Sequence, residues 1–65
     1  MASPMKDKDF DLVSTLYHAL QGADLSRQYS SDAGSDQEAK EFFDNVSRQY
    51  TDIAEQAKSL LKQKL

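Results

Sequence analysis

Few residues in this 65-residue chain could do chemistry, and their spacing limits what that chemistry could be. His18 is the only imidazole, with Asp11 and Ser14 on the preceding turns. These three are the residue types of a hydrolase triad. All of them fall on one predicted helix, however, with neither a strained nucleophile turn nor an oxyanion hole. Position 22, four residues beyond His18, is glycine, so no carboxylate completes a metal pair there, and a two-histidine site would need a second chain. The helical phase of His18 points it away from Leu16 and Leu20, which reads as a solvated side chain. Tyr17, Tyr29 and Tyr50 could serve redox chemistry or ligand binding, but at helical spacing they read as core-edge residues with the hydroxyl at the rim. Lys58, Lys62 and Lys64 could touch phosphate or anionic lipid. With Glu55 nearby, they read instead as a helix end matched to its dipole. Asp24, Asp52 and Glu55 are the carboxylates a metal site could recruit, and all three lie off the apolar stripes.

Composition narrows the classes further. There is no cysteine, so neither a disulfide nor a thiolate metal site can staple the chain. A net charge of −3 argues against nucleic acid as the main partner. The longest apolar run is two residues, too short to span a bilayer. No signal-peptide core and no glycine-rich phosphate loop, zinc-ligand spacing or calcium loop is present, and the expected compartment is the cytoplasm. The expectation is a non-enzymatic protein with no catalytic, cofactor-binding or metal residues, no cofactor and no small-molecule substrate.

The elements that position these residues are helical. Residues 1–8 read as a flexible lead-in, within which Met5 offers an alternative start. From about residue 9 to 31, Phe10, Val13, Leu16, Tyr17, Leu20 and Ala23 step by threes and fours, with Asp7 or Asp9 as candidate N-cap. A short loop at about 32–35 contains Gly34, suited to the left-handed residue after a helix end. Ser35 or Asp36 can cap the next helix, and Ser35 with Glu38 has capping-box spacing. The second helix runs from about 36 to 63. Its residues Ala39, Phe43, Val46, Tyr50, Ile53, Ala57 and Leu60 form a heptad seam, broadened by Phe42 and Leu61. A loop this short makes the two helices antiparallel neighbours. Lys58, Lys62 and Lys64 are then expected near Asp7, Asp9 and Asp11.

The fold class expected is therefore all-α: an antiparallel two-helix hairpin that dimerises into a four-helix bundle. The apolar arcs are too wide for two helices to cover, and each large side chain kept from water is worth roughly 1.5–3 kcal/mol. The expected core and interface residues are Phe10, Val13, Leu16, Tyr17, Leu20, Phe42, Phe43, Val46, Tyr50, Ile53, Ala57, Leu60 and Leu61. The expected partner is a second copy, with a larger protein as the other candidate, and the orientation of the two hairpins is left open.

Over about residues 12–62 the pair of helices resembles one half of a ferritin-like or rubrerythrin-like four-helix bundle. The carriers are Ala19-Leu20-Gln21-Gly22-Ala23 leading to Tyr29, then Ala39-Lys40-Glu41-Phe42-Phe43, then Tyr50-Thr51-Asp52-Ile53-Ala54-Glu55. In that family a ligand Glu precedes the first-helix Tyr by seven residues, and a Glu-x-x-His follows the second-helix Phe by seven. Those offsets fall on Gly22, Tyr50 and Ile53, so the resemblance implies the fold and a two-hairpin assembly with the metal-ligand positions lost. The alternative function is a ferritin-like, di-iron-type metal-binding protein with a non-standard site. Gly22 is expected to serve as a slot for the Tyr50 ring.

Overall fold

In the computed structural model, which describes residues 7–64, two long helices form an antiparallel hairpin. Helix α1 runs Asp7–Asp32 and helix α2 runs Gln37–Lys64. Helix α1 extends past the expected boundaries at both ends, and α2 lies one residue further along than expected. Asp7 and Asp9 lie inside the first turn of α1 rather than ahead of it, where their charge opposes the positive end of the helix dipole. Residues 1–6 of the expected lead-in, and Leu65, lie outside the described residues.

The turn is built as its residue types require. Gly34 takes φ +59°, a left-handed conformation that a side chain disfavours. The Ala33 amide still donates to the Tyr29 carbonyl (3.0 Å), closing the last turn of α1. Asp36 is the N-cap of α2: its Oδ1 accepts from the Ala39 amide at 3.1 Å, and its carbonyl accepts from the Lys40 amide at 3.0 Å. Of the two caps the sequence offers, Asp36 takes the role, and with Ala39 three residues on, the Ser35–Glu38 capping box does not form. An aspartate adjacent to the helix supplies both the acceptor and the charge.

Small side chains line the seam between the helices. On α1 the buried residues are Ala19, Ala23, Ser26 and Ser30, and on α2 they are Ser47, Ala54, Ala57 and Leu61. Steps of three and four place each set on one stripe. Alanine and serine allow the backbones to approach closely. Ser47 Oγ accordingly donates to the Ala23 backbone carbonyl of the facing helix at 3.1 Å. Nearer the turn, Ser30 Oγ donates to Asp44 Oδ1 at 2.6 Å. These bonds satisfy polar groups that the seam would otherwise strand.

A seam of this kind seals little apolar surface. Among the described residues, Leu61 is the one large side chain that is both apolar and buried, and no large side chain is completely enclosed. The hairpin measures 48 × 22 × 11 Å, one helix thick. Its radius of gyration is 14.9 Å, against about 11 Å for a compact chain of this length.

The expected ion pairs between Lys58, Lys62 or Lys64 and the acids at the start of α1 do not form. Among the described residues the ion pair present is Arg27 with Asp24, one turn apart and exposed. Flexible lysines at the open end gain too little from exposed pairing to be held there.

Candidate functional site

Because Ala and Ser occupy the seam, the larger apolar residues stand on its flanks. At about 100° per residue, the α2 positions Phe42, Val46, Ile53 and Leu60 share one flank, and Gly22, Leu25 and Tyr29 of α1 border the same face. Together they form the front of the slab. Near the turn this face holds an open groove of ≈ 250 Å³, lined by Gly22, Leu25, Ser26 and Tyr29 from α1 and by Phe42, Phe43, Val46 and Tyr50 from α2.

The groove is organised by its aromatic rings. Tyr29 meets Phe43 edge-on, with centroids 5.6 Å apart at 62°, and Phe43 meets Phe42 at 5.3 Å and 66°. Such T-shaped pairs contribute about 0.5–1.5 kcal/mol beyond the area they bury. Tyr50 lies over Gly22: three of its ring carbons stand 2.9 Å from where a β-carbon at position 22 would be. The sequence expectation of a ring slot at Gly22 is met. Gly22 and Tyr50 therefore face each other across the two helices, a ring set into the gap that admits it.

A second recess of ≈ 270 Å³ lies on the α2 flank, between Val46, Gln49, Tyr50 and Ile53. On the back of the slab, Leu16 and Leu20 line a recess with Thr51, Ala54, Glu55 and Lys58. Val13 and Tyr17 share that side of α1 by helical phase. The apolar residues of α1 are thus split between the two faces, whereas those of α2 concentrate on one.

Of the residues expected to form core or interface, Ala57 and Leu61 are buried inside the hairpin, and Leu16, Phe43 and Val46 are half-buried. Phe10, Val13, Tyr17, Leu20, Phe42, Tyr50, Ile53 and Leu60 are exposed, from 37% at Tyr50 to 61% at Phe42. Leu25 and Gln49 also border the front recesses, a role their sequence context did not single out. Leu25 lies three residues after Gly22 and four before Tyr29, which is the signal that places it there.

The candidate chemical residues do not converge. His18 is exposed and meets the Tyr17 ring edge-on at 5.4 Å. Asp24 is engaged with Arg27, and Asp52 and Glu55 are exposed. Among the described residues, no three His, Asp or Glu side chains are grouped as a metal ion would require. Lys58 and Lys62 share a shallow recess with Glu55 and Ser59, so an acid sits among the cations. No helix among the described residues is long and apolar enough to cross a membrane.

No protein-family model, curated protein or solved structure matches this chain.

Proposed function

We propose that this chain is a non-enzymatic helical-hairpin module that works through association, using the front face to bind a second copy and complete a four-helix bundle. The observation that carries the reading is the inversion of side-chain size. Alanines and serines are buried in the hairpin, while Phe42, Tyr50, Ile53 and Leu60 are exposed on one face. At about 200 Å² per aromatic residue, the exposed fractions of Tyr29, Phe42 and Tyr50 leave roughly 280 Å² of aromatic surface open on the front face, and the half-exposed Leu25, Ile53 and Leu60 extend it. A lone monomer rarely exposes contiguous apolar patches beyond a few hundred Å². Each half-exposed large side chain has about 1 kcal/mol still to gain on cover, half the value of full burial.

The proposal includes the likeness to half of a ferritin-like bundle. The facing of Gly22 and Tyr50 supports it, since that likeness pairs these two positions at the centre of the bundle. A metal-binding role finds no comparable support, because the available carboxylates are dispersed. The cytoplasm is the proposed compartment.

Thermal unfolding across a hundredfold range of protein concentration tests the reading. Self-association makes the melting temperature rise with concentration. Ile53→Asp should remove that dependence and lower the melting temperature. A concentration-independent melt for the unaltered protein would overturn the proposal.

A further inference from the structure

We draw no further inference here: the strongest candidate, the aromatic groove between α1 and α2 near the turn, lined by Tyr29, Phe42, Phe43 and Tyr50, is part of the unpartnered apolar front face already described, and nothing in the structure shows what covers it.

Discussion

Tyr50 lies over Gly22, with three ring carbons 2.9 Å from the point a β-carbon at position 22 would occupy. One residue supplies a gap in α1 and the other, at mid-length of α2, fills it. Glycine inside a helix costs about 1 kcal/mol relative to alanine, so the gap has a local cost that the ring contact offsets.

This pair gives a double-mutant cycle. Gly22→Ala should gain helix propensity but displace the ring, leaving a net loss of about 1–2 kcal/mol in urea unfolding. In a Tyr50→Ala background the same substitution should stabilise by about 1 kcal/mol. The opposite signs measure the coupling. Equal effects in both backgrounds would show that ring and glycine are independent.

Asp36 caps α2 through the Ala39 amide. Asp36→Ala should therefore cost about 1 kcal/mol, and Ser35→Ala less than about 0.5 kcal/mol. Denaturation midpoints of the two variants check the assignment, and a larger loss at Ser35 would restore the capping-box reading.

The small-residue seam should resist enlargement. Ala54→Leu pushes the helices apart at a buried position, and a loss of about 1–3 kcal/mol is expected. By contrast Glu55→Leu, one position along and exposed, should change stability by no more than about 0.5 kcal/mol. Chemical unfolding of the two variants side by side reads the difference.

Ser47 donates to the Ala23 carbonyl across the seam. Ser47→Ala keeps the size of the contact and removes the bond, so a loss of about 0.5–1.5 kcal/mol is expected from the same measurement.

Much of this hairpin was legible from residue types. Apolar steps of three and four marked both helices, and Gly34 marked the turn. The seam was harder to read because alanine and serine carry little hydropathy signal. Phe43, Val46, Tyr50, Ile53 and Leu60 dominated the pattern, yet four of these five border the front face more than they seal the hairpin. The buried stripe of Ser47, Ala54 and Leu61 runs one residue further along. On α1 the apolar residues divide between two faces, so their pattern could not say which side α2 covers. The sequence left the cap between Ser35 and Asp36 because both residue types suit the role, and local geometry chooses Asp36. The facing of Gly22 and Tyr50 carries no hydropathy signal, since a glycine inside a helix does not itself say which ring lies over it.

Whether two copies close over the front face is measured most directly by sedimentation equilibrium of the unaltered protein at micromolar concentration. Self-association through this face requires a mass of twice the 7.3 kDa chain, reduced to a single chain by Ile53→Asp with helicity largely kept. A single-chain mass for the unaltered protein, with its helices fully formed, would contradict it.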